Sequence, residues 1–303
     1  MQFLYLLEKI RVPVLNEFML AVTTMGEETA FLVIALVLFW CVDKYIGYYT
    51  LSVGFVGTLA NQFLKLAFRI PRPWVLDENF TILEQAREAA SGYSFPSGHT
   101  QSAVGTFGSI ACVTKNKIVR IIAIVIAVLV PFSRMYIGVH TPLDVVVSVG
   151  IALLLVFVFR PLILRNDHRH MPVLFSVMLV LSIGYLCFVE FYPFPGDIDA
   201  HNYESGLQNA YTLLGALLGM LIVYWFDKKW LNFNTTAVWW AQIIKVIAGL
   251  ALVLVIKTGT KSMLNLLFGE YIGRSVRYCL VVLFAGILWP MTFEWFSKLG
   301  KKE

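Results

Sequence analysis

Charge is what this 303-residue chain has least of: only 14% of its residues are Asp, Glu, Lys or Arg, against about 25% in an ordinary soluble domain. That scarcity excludes a soluble enzyme. Cysteine is scarce too, and Cys41, Cys112, Cys187 and Cys279 all lie inside apolar runs, where a thiol behaves as a small hydrophobe. They spell neither a disulfide framework nor a metal-ligand spacing. The net charge of +5 contains no basic block, which argues against nucleic acid as a partner. Glycine at 21 and proline at 11 are ordinary, so collagen-like repetition and low complexity are excluded. A cleaved signal peptide is not expected either. Lys9 and Arg11 follow the first apolar residues instead of preceding them, and no small-residue cleavage site comes after. The chain is read as retained whole.

What is present in excess is Leu, Val, Ile and Phe, within a hydrophobic share of 58%. A bilayer-spanning helix consumes about 20 apolar residues, so a chain of this length has room for on the order of nine. Continuous apolar runs place them near 28–42, 46–66, 98–114, 118–133, 143–163, 171–190, 207–226, 238–257 and 277–296. Helices are the reading for runs this long, because lipid leaves the backbone no other way to satisfy its polar groups. The expected fold is therefore an all-α, polytopic membrane helical bundle. Before the first run, Phe3, Leu4, Leu7 and Ile10, then Leu15, Phe18, Met19 and Val22, repeat at helical spacing. Residues 1–27 read as two interfacial amphipathic helices.

Orientation follows from the short loops. Lys44, Lys115, Lys117, Arg165, Arg169, Lys228 and Lys229 fall in loops 43–45, 115–117, 164–170 and 227–230, which points that face to the cytoplasm. The opposite face carries Lys257, Lys261, Arg274 and Arg277 in one long segment, and the chemistry-bearing loops. The first of those loops opens with Lys65 and Arg72-Pro73 and closes with Tyr93-Ser94-Phe95-Pro96-Ser97-Gly98-His99. The second reads Ser133-Arg134, then His140, then Asp144. Parity of the runs brings these segments to one water–lipid boundary.

The composition there is that of a phosphate site. Arg presents a planar fork that matches phosphate oxygens and Lys adds a point charge. The Ser97-Gly98 amides, opening a helix, would face an anion with the positive end of the helix dipole behind them. Thr141 and Pro142 suit the cap and first turn of the following helix. Four residues apart, His140 and Asp144 meet on one helix face. Asp144 can then accept the Nδ1 proton of His140 and leave Nε2 as a lone pair. Triad logic makes His140 a nucleophile, and His99 is left to protonate the departing oxygen.

Together, Lys65…Arg72-Pro73, Pro96-Ser97-Gly98-His99 and Ser133-Arg134…His140…Asp144 resemble the complete three-part signature of the type 2 phosphatidic acid phosphatase superfamily. Its soluble relatives include vanadium haloperoxidases and acid phosphatases. The resemblance implies that Lys65, Arg72, Ser97, Gly98 and Arg134 bind the phosphate. It likewise implies His140 as the residue phosphorylated, His99 as general acid, Asp144 as the orienter of His140, and no metal or other cofactor. It covers residues 28–190 as a six-span phosphatase core and leaves 191–303 as a C-terminal extension with about three further spans.

Other features have plainer readings. Arg69 has no slot in the signature and reads as a snorkelling or headgroup contact. Thr81 to Ala90 is helical by propensity, a surface helix or a lid. His168 and His170 belong to a solvated loop on the face opposite the chemistry. Lys245 is expected to reach the cytoplasmic interface, and Gly215 and Gly219 fit a small-xxx-small packing step.

The function expected is that of an integral membrane lipid phosphatase, acting on a lipid phosphate monoester or diphosphate through a phosphohistidine. Its site would lie on the non-cytoplasmic face of a bacterial plasma membrane. The alternative is a lipid phosphotransferase that passes the same phosphoryl group to a lipid acceptor. A non-catalytic lipid scaffold or transporter is the third reading, against which both histidines and Asp144 argue. Partners are the lipid substrate and membrane lipids; the oligomeric state is not legible.

Overall fold

A computed structural model describes residues 1–87, 90, 92–165, 168–196 and 198–299. Every regular element among them is helical. In chain order they are α1 (Gln2–Lys9), α2 (Pro13–Thr24), α3 (Glu28–Val37, continued by a π turn over Leu38–Val42), α4 (Lys44–Phe68) and the short α5 (Pro73–Leu76). Then follow α6 (Gly98–Val113), α7 (Lys117–Tyr136), α8 (Pro142–Ile163), α9 (Met171–Phe191), α10 (Ala200–Phe226), α11 (Trp239–Gly259), α12 (Lys261–Phe268), α13 (Glu270–Leu283) and α14 (Phe293–Lys298).

The first eight apolar runs each hold one of these helices, and the ninth covers the end of α13, a π turn over Phe284–Leu288 and the start of α14. Seven are long and apolar enough to cross a membrane, or eight if α2 and α3, which meet at a 53° bend, count as one span. Helix α6 falls short, for a legible reason. Its 16 residues extend about 24 Å, and Thr100, Gln101, Thr106 and Ser109 are all buried. A helix shielded by its neighbours need not be apolar on every side. By contrast, Ile118, Ile121, Ile122, Val125 and Val128 of α7 are exposed. A soluble protein rarely shows such an apolar stripe, but lipid covers one at no cost.

The chain forms two compact units. The first comprises Met1–Ala35, Tyr49–Pro161 and Asp197–Tyr203, the second Leu36–Tyr48, Leu162–Gly196 and Glu204–Glu303. In the first unit the two N-terminal helices form where their periodicity puts them, but they do not stand alone. Leu4, Leu7 and Met19 are buried. The Arg11 Nε donates to the carbonyl of Tyr136 at 3.0 Å, and the Tyr136 hydroxyl donates to Asn16 Oδ1 at 2.8 Å.

The α-helix expected over Thr81–Ala90 does not form over its described residues, where Glu84–Ala86 make a 3₁₀ turn and Ala90 is again 3₁₀; Glu88 and Ala89 lie outside them. Tertiary anchoring overrides the propensity. The Leu83 amide donates to the Ile137 carbonyl at 3.1 Å, and Ala86 and Ala90 pack on Met19, Tyr136 and Ile137.

In the second unit, Lys44 and Asp227 form a buried ion pair at 2.7 Å, and the Trp40 indole donates to the Ala285 carbonyl at 2.8 Å. Gly215 lets α10 close on α13, since a Cβ there would strike the Ser275 backbone, and a Cβ on Gly219 would lie 2.9 Å from Val282. The small-residue step is thus a packing step. Lys245 is fully buried. Its Nζ donates to the Thr235 carbonyl at 3.1 Å and lies 4.2 Å from the centroid of the Phe293 ring. His168 stacks on Tyr45 with centroids 3.5 Å apart. No group of three or more His, Cys, Asp or Glu among the described residues could hold a metal ion.

Candidate active site

The signature segments meet in the first unit, at the end of α4, the start of α6, the end of α7 and the start of α8. Local sequence chemistry places each one. Pro73 opens α5 directly after Arg72. Ser97 caps α6, its side chain accepting from the Thr100 amide at 3.4 Å. Gly138 takes a φ of +89°, a conformation glycine adopts freely, and so turns the chain out of α7 towards His140. Thr141 and Asp144 form a reciprocal cap at the start of α8. The Thr141 amide donates to Asp144 Oδ2 at 2.8 Å, and the Asp144 amide donates to Thr141 Oγ1 at 3.3 Å. This is the capping-box arrangement, with Asp in the place usual for Glu.

Arg72 ties the site together. Its Nε donates to the Gly92 carbonyl at 2.9 Å, and its Nη1 donates to the Val139 carbonyl at 2.9 Å and lies 3.0 Å from His140 Nε2. A guanidinium has no acceptor, so Nε2 must accept and the ring proton must sit on Nδ1. The Nδ1 faces Asp144 Oδ2 at 3.5 Å, a long approach of the kind that tightens once substrate is bound. The same carboxylate oxygen accepts from the Ser94 hydroxyl at 2.5 Å. Arg72 thus sets the tautomer needed for nucleophilic attack from the Nε2 side, while Nδ1 makes no hydrogen bond among the described residues.

The other predicted residues gather less directly. Lys65 Nζ donates to the Tyr93 carbonyl at 2.5 Å. The Ser97 amide donates to the Asp144 carbonyl at 3.3 Å, and the Arg134 carbonyl accepts from the Val139 and His140 amides at 3.1 and 3.3 Å. Arg134 itself is 1% exposed; its Nη1 donates to Thr23 Oγ1 at 2.8 Å, and its Nε has no partner among the described residues. Gly98 begins α6, and a Cβ on it would lie 3.7 Å from Asn61 Oδ1. The His99 side chain is half-buried and makes no hydrogen bond among the described residues. It lies within electrostatic reach of His140.

Lys65 and Arg72 thus lie within electrostatic reach of Asp144, and Arg134 within that of Glu27. Burial first, then Arg72, Arg134, Lys65 and His99, hold the His140 imidazole well below its ordinary pKa. At neutral pH it is uncharged, as a nucleophile must be. The arrangement can bind a dianionic phosphoryl group and present a neutral imidazole to it.

Three residues at the site escaped the sequence reading. Ser94 stands inside the quoted Tyr93–His99 stretch, yet nothing in its spacing marks it as a partner of Asp144. Thr23 comes from α2, far from any motif. Asn202, at the start of α10, accepts the Tyr93 amide on Oδ1 at 2.8 Å, and its own amide donates to Asp199 Oδ1 at 2.8 Å. It steadies the loop whose Gly92 and Tyr93 carbonyls hold Arg72 and Lys65.

Comparison with known proteins finds related sequences over both halves of the chain. A profile described as the PAP2 superfamily matches residues 44–168, and one described as the PAP2 superfamily phosphatase, transmembrane extension, matches 211–302. Undecaprenyl-diphosphatase BcrC of Bacillus subtilis is 33% identical over 106 residues, which is 35% of this chain and 52% of that protein. The match therefore spans about half of that relative's length. Phosphatidylglycerophosphatase B of Bacillus subtilis is 34% identical over 164 residues, covering 50% of this chain and 76% of that protein. Among solved structures, the transmembrane PAP2-type phosphatidylglycerolphosphate phosphatase from Bacillus subtilis is 32% identical, with a TM-score of 0.44, over 52% of this chain and 81% of that one. With that identity across three quarters of phosphatidylglycerophosphatase B, and with the three signature segments joined in one site, this integral membrane chain belongs to the PAP2 superfamily.

Proposed function

We propose that the protein is a metal-independent phosphatase that hydrolyses a lipid phosphate monoester or diphosphate through a phosphohistidine. The observation that carries this reading is the His140 imidazole, whose Nε2 lone pair faces Arg72 at 3.0 Å with Lys65 and Arg134 within electrostatic reach and Asp144 on the Nδ1 side. The substrate's phosphoryl group lies among Lys65, Arg72, Arg134 and the Gly98 amide at the start of α6, beside Ser97, whose own amide is held by the Asp144 carbonyl. His140 Nε2 attacks phosphorus, and the Nδ1 proton stays on the ring, turned to Asp144. The bound phosphoryl dianion offsets the three cations and lets His99 take up a proton; as the N–P bond forms, the bond to the lipid oxygen breaks and His99 donates that proton to the departing oxygen. In the second half-reaction His99 takes a proton from water, whose oxygen attacks phosphorus. The N–P bond breaks, orthophosphate forms and the imidazole is restored. The cations supply the charge stabilisation that Mg²⁺ gives other phosphoryl-transfer sites. The exposed apolar faces of the helices suit a substrate whose tail stays in lipid while its headgroup enters the site.

The purified protein in detergent should release orthophosphate from at least one of phosphatidic acid, phosphatidylglycerophosphate, a polyprenyl diphosphate and a sphingoid phosphate. That activity should survive EDTA and be blocked by vanadate. No release from any of the four, or a loss on chelation that one divalent metal restores, would overturn the reading.

The site is placed on the non-cytoplasmic face of a bacterial plasma membrane, on the strength of the basic residues in the short loops. In a background with the four cysteines replaced, a cysteine at Asn79 should react with an impermeant thiol reagent in intact cells. One at Lys115 should not. Both side chains are exposed, so the reverse pattern would invert the topology.

A further inference from the structure

One basic cluster stands apart from the catalytic chemistry. Between residues 257 and 277 the chain carries Lys257, Lys261, Arg274 and Arg277 against a single carboxylate, Glu270. Arg277 lies about 10 Å along α13 from its first residue, inside an apolar span, and it is only 4% exposed. Its Nε and Nη1 are buried without a hydrogen-bond partner among the described residues, and so is the Nε of Arg274.

Neither nearby acid pairs with them: Glu270 lies within electrostatic reach of Arg277 but forms no ion pair with it among the described residues, and the guanidinium carbon of Arg277 lies 5.7 Å from the centroid of the Tyr278 ring. Glu204 is engaged by the Tyr271 hydroxyl at 2.8 Å and by the Gln208 amide at 2.8 Å. Arg274 is held by neutral groups, its Nη2 donating to Gln208 Oε1 at 2.7 Å and its Nη1 to Thr212 Oγ1 at 3.5 Å. One turn before Arg277, Gly273 brings α13 against α12, where a Cβ would lie 2.7 Å from the Leu264 carbonyl oxygen and 3.1 Å from Asn265 Cα. Arg277 continues that face of the helix.

A buried guanidinium without a counter-charge is strongly unfavourable, and intramembrane arginines are rare unless they meet an anion or serve a function. Two arginine forks at i and i+3, with open donors and no ion pair, match the planar oxygens of a phosphoryl group. We propose that Arg274 and Arg277 form a second anion site, built from residues of the second unit alone, that takes a phosphoryl group. The source of that group is either the headgroup of an anionic phospholipid or free phosphate. This inference does not depend on the proposed reaction, and its test does not read activity.

Thermal unfolding of the full-length protein, purified in neutral detergent, separates the sources. Phosphatidylglycerol at a hundredfold excess over its Kd should raise Tm by about 5 °C. Inorganic phosphate at millimolar concentration should produce the same variant-sensitive rise only if free phosphate is the ligand. In Arg274→Gln and Arg277→Gln that rise should shrink to the shift any other site contributes. Without added anion, Arg277→Gln should unfold at a higher temperature than the wild-type protein, because an uncompensated charge has been removed. Arg277→Lys, which keeps the charge and loses the fork, should recover part of the lipid response. Equal lipid and phosphate shifts in the wild-type protein and both Gln variants would overturn the site. So would a lower Tm for Arg277→Gln in the absence of anion, which would mean the guanidinium is already satisfied within the fold.

Discussion

His140→Ala should form no phosphoenzyme from any substrate, whereas His99→Ala should lose it from lipid monoesters and keep a measurable part of it from an activated aryl phosphate. The asymmetry follows from the two proposed roles. Without the imidazole no atom can bond to phosphorus, so the first half-reaction has no alternative path, and the loss should exceed about 10⁴-fold. The general acid matters according to its leaving group. A lipid alkoxide needs its proton in the transition state, so removing the acid should cost about 10²- to 10⁴-fold. The phenolate of an acidic phenol departs unaided. Single-turnover phosphoenzyme formation with both substrates reads the difference. Equal losses for His99→Ala on the two, or residual turnover in His140→Ala, would mean that the roles have been misassigned.

Asp144→Ala should cost about 10⁴-fold in kcat, and Asp144→Asn only about 10²-fold. In a serine-protease triad, Asp→Asn costs about 10⁴-fold because the amide selects the wrong histidine tautomer. Here the surroundings forbid that inversion. Asp144 Oδ2 accepts from the Thr141 amide at 2.8 Å and the Ser94 hydroxyl at 2.5 Å. The Thr141 backbone N–H can only donate, so an Asn in this place must turn its oxygen, not its NH₂, to the shared position. The oxygen would still face His140 Nδ1, and Arg72 would still hold Nε2. What is lost is the negative charge that stabilises the imidazole as it bonds to phosphorus, a loss on the scale of a supporting-shell substitution. Asp144→Ala removes the acceptor altogether and leaves two donors and the ring proton without a partner. Comparable losses for Ala and Asn would show that charge, not tautomer, is what Asp144 provides.

Most of the helices were legible because lipid writes its requirement into composition: long apolar runs have one structural solution. Helix α6 was legible as an apolar run although its buried Gln101 and Thr106 keep it below the usual hydropathy of a span. The convergence of Lys65, Arg72, Ser97, His140 and Asp144 followed from parity and motif order, which are properties of the chain. What could not be read were contacts that depend on how distant segments pack. Thr23 meets Arg134 because α2 lies against α7, and Asn202 meets Tyr93 because the start of α10 returns to the first unit. Neither residue sits in a pattern. Thr81–Ala90 misled for the same reason, since its local preference is helical while Leu83, Ala86 and Ala90 are claimed by Ile137 and its neighbours. A lysine inside a span is costly, and the groups that hold Lys245, the Thr235 carbonyl and the Phe293 ring, could not be read from its position.

The Arg72 contact to His140 Nε2 bears on how a reactive group survives at rest. A neutral imidazole with an open lone pair is also the commonest capture point for stray transition metals, and a soft target for electrophiles. At 3.0 Å the guanidinium already occupies that lone pair, so nothing can bond there until Arg72 is drawn elsewhere. A phosphoryl anion draws it, because two charged oxygens are better acceptors than a ring nitrogen. In the proposed reaction the group that would recognise the substrate is thus also the safety catch on the nucleophile, and the arrival of the right anion is what would release it.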